Sequence, residues 1–106
     1  MSNLSQFQPP GYVRWNAVKT ASFTAEASNG YPIDTNGGAV TITLPASPAI
    51  GDTIELFDYS RTWQTNNVTI NTNGSKLQKG DINPTCDQEG QNMTLVYIDA
   101  TIGWGV

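Results

Sequence analysis

The segment Gly38–Asp52, GAVTITLPASPAIGD, says more about the fold of this chain than any other stretch. Apolar residues alternate with two threonines at its start, which is the pattern of a strand with one buried face. Pro45 and Pro48 lack the N–H that ladder pairing needs, and Gly51-Asp52 supplies a turn before the next apolar run. The segment therefore predicts a strand, a rigid corner and a second strand. The predicted buried face carries Val40, Ile42 and Leu44.

Similar runs and turn signals continue on both sides of this segment. Turns recur every ~8 to 12 residues, as in an all-β sandwich or barrel, and no stretch has a helical period of useful length. The predicted strands cover residues 12–19, 21–27, 31–35, 39–44, 53–57, 67–71 and 93–98. We therefore expect an all-β fold, a small antiparallel sandwich or barrel at residues 15–106, with a short extended N-terminal arm at residues 1–14.

Two Asn-Gly pairs carry expectations about strand pairing. Asn29-Gly30 is a strong turn signal. Asn73-Gly74 is the strongest short hairpin signal in the chain, and it predicts that residues 76–78 return along the strand at 67–71. The sequence thus favours a turn at the first pair and a hairpin at the second.

Other features predict where strands lie within their sheets. Pro32 restricts its segment to a sheet edge or a strand start. Residues 93–98 are the most apolar run and are expected at the centre of a sheet, whereas residues 79–91 read as an irregular polar loop. The tripeptide VTI occurs at 40–42 and again at 68–70, each time after a turn. It indicates either an internal duplication or simply two segments of high β-propensity.

The charge of the chain argues against nucleic acid as a partner. Charged residues make up 13% of the 106 residues, about half the usual ~25%, and the net charge is -4. The few basic residues are scattered, so the electrostatic footprint of a nucleic-acid-binding protein is missing. They are Arg14, Lys19, Arg61, Lys76 and Lys79.

The cysteine count and the N-terminus bear on the cellular compartment. Cys86 is the only cysteine, so no intrachain disulfide can form. The N-terminal sequence MSNLSQFQPPG has neither the basic start nor the apolar core of a signal peptide, and no run approaches the ~20 apolar residues of a membrane span. We expect a soluble protein, made in a cytoplasm and not inserted into a membrane.

Residue types that carry common catalytic and metal chemistry are scarce. The chain has no histidine, which removes Ser-His-Asp and Cys-His pairs and histidine-based metal ligation. Neither phosphate-binding glycine motif occurs in a strand-to-helix setting. We therefore expect no enzyme activity, no catalytic residues, no cofactor and no metal.

Two groups of acidic residues suggest the alternatives of a glycoside hydrolase or a calcium site. One group comprises Asp52, Glu55 and Asp58, and a second comprises Asp81, Asp87 and Glu89. Two carboxylates held ~5 to 9 Å apart can hydrolyse a glycoside, and a loop rich in oxygen atoms can bind Ca²⁺. The loop at 81–89 lacks the D-x-[DN]-x-[DN]-G pattern, and aspartates in turns commonly bond to their own backbone. For both groups we therefore favour a structural role in turns over a catalytic or calcium-binding role.

Two segments have residues suited to contacting a partner. Leu4 and Phe7 lie among polar residues ahead of Pro9-Pro10-Gly11, and are either anchors of a docking arm or part of a mobile terminus. Tyr59, Arg61 and Trp63 lie in a polar loop. An aromatic loop of this kind can stack on a sugar or form a protein hot spot, and the alternative is that Trp63 folds back over its own sheet or across a subunit contact.

The chain resembles a module of tailed-bacteriophage virion proteins, found most often at the ends of tail fibres and related appendages. The resemblance covers about residues 15–106 and is carried chiefly by GAVTITLPASPAIGD and by LVYIDATIGW at residues 95–104. Other matching positions are Lys19-Thr20, Ser22–Ala25, Gly30-Tyr31, Asp34-Thr35, Asp58-Tyr59, Trp63, Asn66–Ile70 and Asn73-Gly74. It implies a compact β module that assembles as a homotrimer on the particle exterior, and it implies no particular receptor.

A short segment before the module fits two positions on a virion. The protein could be a tail-fibre or tip subunit that attaches to a host glycan or receptor. It could also be a capsid decoration (cement) protein, whose trimers clamp neighbouring capsid subunits through short N-terminal arms. Both readings place it on the virion exterior, beside other virion proteins.

Overall fold

The computed structural model describes residues 13–106, which form nine strands in two sheets. The five-stranded sheet has the order β1-β3-β5-β8-β9, and the four-stranded sheet has the order β2-β4-β6-β7. The strands are β1 (Arg14–Trp15), β2 (Phe23–Thr24), β3 (Asn29–Ile33), β4 (Val40–Thr43), β5 (Thr53–Asp58), β6 (Val68–Asn71), β7 (Thr85–Cys86), β8 (Asn92–Asp99) and β9 (Gly103–Gly105). No part of these residues is helical, so the all-β prediction is confirmed.

The chain alternates between the two sheets from β1 to β6. Strands β1, β3 and β5 pair in parallel in one sheet, and β2, β4 and β6 pair in parallel in the other. The antiparallel pairs between these strands are β5–β8, β6–β7 and β8–β9. The predicted antiparallel-only arrangement is therefore wrong. A parallel pair needs a crossover, and each crossover here is a strand of the opposite sheet.

The two VTI tripeptides lie side by side in this arrangement. Val40 pairs with Val68, Thr41 with Thr69 and Ile42 with Ile70 in the parallel β4–β6 ladder. Alternation along a strand sends the valines and isoleucines to one side and the threonines to the other. Both isoleucines and both valines are buried, as predicted for β4 and β6.

The core fills the space between the sheets. Fully buried side chains from both sheets meet there, together with one loop tryptophan. The largest of them are Trp63, Trp104, Ile33, Ile42, Leu44, Ile54, Leu56, Ile70 and Leu95. At ~1.5 to 3 kcal/mol for each buried large apolar side chain, this cluster is the main source of stability.

The corner predicted after β4 carries the chain from one sheet to the other. Asp52 N–H donates to the Ala49 carbonyl at 3.0 Å, and Asp52 Oδ2 accepts the Ala49 N–H at 2.8 Å. Gly51 has φ 90°, a left-handed conformation that glycine adopts without steric cost. The turn therefore closes on itself before β5 begins at Thr53.

The first Asn-Gly pair does not form a turn. Asn29 and Gly30 belong to β3, and the turn falls two residues earlier, at Ala27–Ser28, where Ser28 has φ 65°. Gly30 is needed for a different reason, because the Trp15 side chain lies against it. The prediction is wrong since close packing as well as a turn can require glycine.

Pro32 also lies in an inner strand, because β3 has β1 on one side and β5 on the other. The Pro32 carbonyl accepts the Lys19 N–H at 2.9 Å. The two backbone groups of a strand residue point to the same side, so the missing N–H also faces this side, where β1 has already ended. The predicted edge position is wrong for the strand as a whole.

The second Asn-Gly pair forms its turn without the predicted hairpin. Asn73 and Gly74 both have positive φ, 57° and 93°. Strand β6 nevertheless pairs with β7, and Leu77 instead forms bridges to Gly80 and Trp104. The predicted polar loop at residues 79–91 thus contains a strand.

Strand β8 contains the apolar run at 93–98 and is an inner strand, as predicted, although it is not the middle strand of its sheet. Strand β5 is the middle strand of the five, and β8 lies between β5 and β9. Only Leu95 of β8 is fully buried, whereas Ile98 is exposed. Strand β1 begins at Arg14, inside the predicted arm, and residues 1–12 with Leu4 and Phe7 lie outside the described residues.

Candidate functional site

Asp58 organises the loop that the sequence singled out. It is the last residue of β5 and its side chain is buried. Asp58 Oδ1 accepts the Thr62 N–H at 3.1 Å, and Oδ2 accepts the N–H groups of Trp63 at 3.3 Å and Gly90 at 2.9 Å. Charge-assisted bonds of this kind satisfy a buried carboxylate. Asp58 therefore holds the loop after β5 and the loop at residues 87–91 together.

The Asp58 anchor turns Trp63 inward. The Trp63 side chain is 0% exposed, and its Nε1–H donates to the Ile33 carbonyl at 3.3 Å. A side chain without accessible surface offers nothing to a ligand at the loop tip, so the contact role of Trp63 is corrected, and the alternative stated for it, that it folds back over its own sheet, is confirmed. The polar neighbours of Trp63 serve the loop's own hydrogen bonds, so their polarity is no evidence for an exposed tryptophan.

Tyr59 and Arg61 remain at the surface of the same loop. Arg61 has φ 58°, and its Nε lies 3.3 Å from Glu89 Oε2, with the guanidinium packed beside Gly90. An exposed pair of this kind adds little stability. The two side chains present an aromatic ring and a cation on the outside of a loop fixed from within, and their contact role stays a prediction.

The acidic residues do not converge on one place. Asp52 closes its own turn, Asp81 pairs with Lys76 at 2.9 Å, and Glu89 pairs with Arg61. Glu55 and Asp58 point to opposite sides of β5, because they are an odd number of residues apart. Within residues 13–106, no three Asp, Glu, Cys or His side chains gather in a way that could hold a metal ion.

The outer side of the five-stranded sheet is unusually apolar. Outward-facing positions follow from alternation and from the register of β1, β3, β5 and β8. We call this surface the apolar face; its residues are Trp15, Pro32, Phe57, Val96 and Ile98, with Glu55, Asn92 and Thr94 between them. Trp15, Phe57 and Ile98 are 47%, 42% and 43% exposed. Glu55 is the only charged residue among them.

The outer side of the four-stranded sheet has the opposite character. Its positions form rows of hydroxyl and amide groups across the parallel strands. We call it the polar face; its residues are Ser22, Thr24, Thr41, Thr43, Thr69, Asn71 and Thr85. Water can hydrogen-bond to all of these side chains, so the two outer surfaces of one sandwich differ sharply in their affinity for water.

The apolar face was missed in the sequence. Glu55 and Phe57 alternate with the buried residues of β5, which is a readable signal for an exposed aromatic residue. The contribution of Trp15 was not readable, because it depends on the parallel pairing of β1 with β3.

Cys86 is a buried thiol on β7. Burial, and to a smaller extent the charge of Asp87, raises the pKa of Cys86 to about 11. Its Sγ lies 3.8 Å from Met93 Sδ. The thiolate is the reactive form of cysteine, and a thiol with this raised pKa stays protonated at neutral pH. Cys86 therefore serves as a core residue.

No protein-family model matches the chain, and comparison with curated proteins gives no match. The part of the chain from residue 13 onward contains no helix long and apolar enough to cross a membrane.

Proposed function

We propose that this protein is a non-enzymatic structural protein of a tailed-bacteriophage virion, a homotrimeric module of the tail-fibre or tip type on the particle exterior. One observation carries the proposal beyond the sequence resemblance. The Gly51 N–H donates to the Tyr97 carbonyl and the Tyr97 N–H donates to the Asp52 carbonyl, both at 2.8 Å. The two segments that carry the resemblance thus form one structural unit, which favours a shared module over two chance matches.

The two outer faces support self-assembly as part of this function. A subunit with one polar face and one apolar face suits a particle component that turns the first to water and the second to a neighbour. The low share of charged residues also favours self-assembly, because few charges need to be desolvated at subunit contacts.

A second position on the virion, that of a capsid decoration protein, is favoured by where the arm joins the module. Residue 13 leads directly into β1, which is an edge strand of the five-stranded sheet. A predicted arm attached at the rim of the sandwich can reach a neighbouring subunit without crossing the core. In this version Leu4 and Phe7 dock on capsid subunits.

Immuno-gold labelling of purified particles separates the two positions. We expect label at the tail tip, whereas label distributed over the capsid would favour the decoration protein. Particles without label would overturn both versions.

For the tail-tip version, Tyr59 and Arg61 are the proposed contacts to a host glycan or receptor. Tyr59→Ala and Arg61→Ala should each lower adsorption of particles to host cells by about tenfold or more. Gln64→Ala, an exposed position of the same loop, is the matched control and should leave adsorption unchanged. Normal adsorption by both test variants would remove this loop from the proposal.

A further inference from the structure

We propose that the apolar face is the surface on which a second copy of this chain packs. The inference rests on the proposed homotrimer and adds the location of its subunit contact. The contrast between the two faces carries it, because both are outer surfaces of the same sandwich and only one is apolar. An exposed apolar patch of this kind typically marks a protein interface.

The apolar face is also the larger of the two, because it has five strands and the polar face has four. Its five strands have between two and eight residues, and with ~4.8 Å between strands and ~3.3 Å for each residue they give a sheet surface of about 400 Å². A standard interface buries about 800 Å² on each partner. The face therefore suits contacts that form at micromolar concentration and are reinforced by closure of a ring.

Two charges indicate that the occupant is another copy of the same chain. Glu55 lies in the middle of the apolar face and Arg14 lies on the edge strand β1. The ion pairs found within residues 13–106 are Arg61–Glu89 and Lys76–Asp81, so neither Glu55 nor Arg14 has an ionic partner in that part of the chain. A carboxylate covered by an apolar partner needs a cation. Arg14 points to the opposite side of β1 from Trp15, because it pairs with Asn29 and Trp15 pairs with Gly30. The β1 edge of a second copy, laid across the face with the Arg14 side towards it, therefore supplies this cation.

A matched pair of substitutions tests the location of the contact. Thr94 and Thr41 are both exposed threonines within strands, the first on the apolar face beside Glu55 and the second on the polar face. Thr94→Glu adds a second carboxylate to the contact and should weaken self-association by at least ~100-fold. Thr41→Glu should leave it unchanged. Light scattering and sedimentation equilibrium from low to high micromolar concentration measure both.

The results separate failure of the face from failure of the homotrimer. A wild-type protein that is monomeric throughout this range overturns both. If the wild type is a trimer and Thr94→Glu self-associates equally well, the apolar face is not the contact, although the homotrimer stands. This conclusion requires that circular dichroism shows native strand content for Thr94→Glu. If Thr94→Glu fails to fold, Ile98→Glu, at an exposed position of the same face, replaces it with the same expected result.

A charge exchange tests the identity of the occupant. Glu55→Arg and Arg14→Glu should each weaken self-association, and the double variant should restore most of it, because the pair forms between copies. Failure of the double variant to recover would overturn the Glu55–Arg14 contact.

Trp15 reports which molecule covers the face. It is the exposed tryptophan, whereas Trp63 and Trp104 are 0% exposed, so iodide quenches its fluorescence selectively. We expect quenching to fall as protein concentration rises. Protection that is independent of concentration and lost in Leu4→Ser/Phe7→Ser would assign the face to residues 1–12 instead, and full accessibility at every concentration would overturn the proposal.

Discussion

The indole of Trp15 lies directly against Gly30 on the outer side of the five-stranded sheet. A Cβ on Gly30 would stand 2.7 Å from Trp15 Cδ2. The contact joins the edge strand β1 to β3 and gives the apolar face its largest side chain. An Asn-Gly pair that resembles a turn in the sequence is therefore a packing site in the structure.

Substitution of Gly30 by alanine should displace Trp15. The new methyl group overlaps the indole, so the ring must swing towards water or β1 must move. We expect the free energy of unfolding to fall by about 1 to 3 kcal/mol and the Trp15 emission to shift to the red. Gly37→Ala is the control, because a Cβ there meets nothing within 4 Å. Equal effects of both substitutions in thermal unfolding would contradict the packing role.

The strands that the sequence predicted best are those whose pattern is local. Alternation alone identifies β4, β5 and β6, and the corner between β4 and β5 follows from its prolines and Gly51. The strands with which β4 and β6 pair could not be predicted from the sequence. Strand β4 pairs with β6 across the whole of β5, and β6 then pairs with β7 instead of the nearer residues 76–78. Pairing depends on how the sheets stack, which no short window contains.

The candidate site shows the same limit. Tyr59, Arg61 and Trp63 share one polar loop, yet only the first two are exposed. The difference arises from Asp58, which binds the backbone of residues 62 and 63 from inside the sandwich. An aspartate at the end of a strand reads as an ordinary turn residue, so the sequence gives no sign that this one is buried.

Loss of the Asp58 carboxylate should loosen both loops that it joins. Asp58→Ala leaves the N–H groups of Thr62, Trp63 and Gly90 without their acceptor, which should cost about 3 kcal/mol or more. Asp34→Ala is the matched control, since Asp34 Oδ1 accepts one local N–H, from Asn36 at 2.8 Å. We expect that control to cost about 1 kcal/mol. Chemical denaturation measures both, and a smaller loss for Asp58→Ala than for Asp34→Ala would refute the anchoring role.

The turn between Leu77 and Gly80 offers a stabilising substitution. Gln78 and Lys79 both have positive φ, 48° and 72°, and the flanking residues exchange two backbone hydrogen bonds at 2.8 and 2.9 Å. A two-residue turn with positive φ at both positions favours Asn-Gly. Lys79→Gly should therefore raise the free energy of unfolding by about 0.5 to 1 kcal/mol.

The control for this turn is Gln64→Gly, at an exposed loop position without positive φ. Glycine there gains nothing from the folded backbone and increases the freedom of the unfolded chain. We expect a small loss of stability by the same measurement. A gain at residue 64 equal to that at residue 79 would show that backbone conformation is not the cause.

The buried thiol of Cys86 makes stability depend on alkaline pH. Burial raises its pKa from 9.0 to about 11, so the folded state holds the proton more tightly than the unfolded state. This contribution is fully present below pH 9, and it is lost as pH rises from about 9 to about 11. A shift of this size corresponds to about 2 to 3 kcal/mol. The raised pKa of the buried Tyr31 acts in the same direction at higher pH.

Cys86→Ala isolates the thiol from the other groups that titrate in this range. The variant starts less stable, because it leaves a cavity, but it should lose less stability than the wild type between pH 9 and pH 11. Urea denaturation at a series of pH values gives the comparison. Iodoacetamide provides a second readout, since the wild-type thiol should react only as fast as the protein unfolds at pH 8. Rapid alkylation of the folded protein, or parallel pH profiles for the two proteins, would show that burial does not control this cysteine.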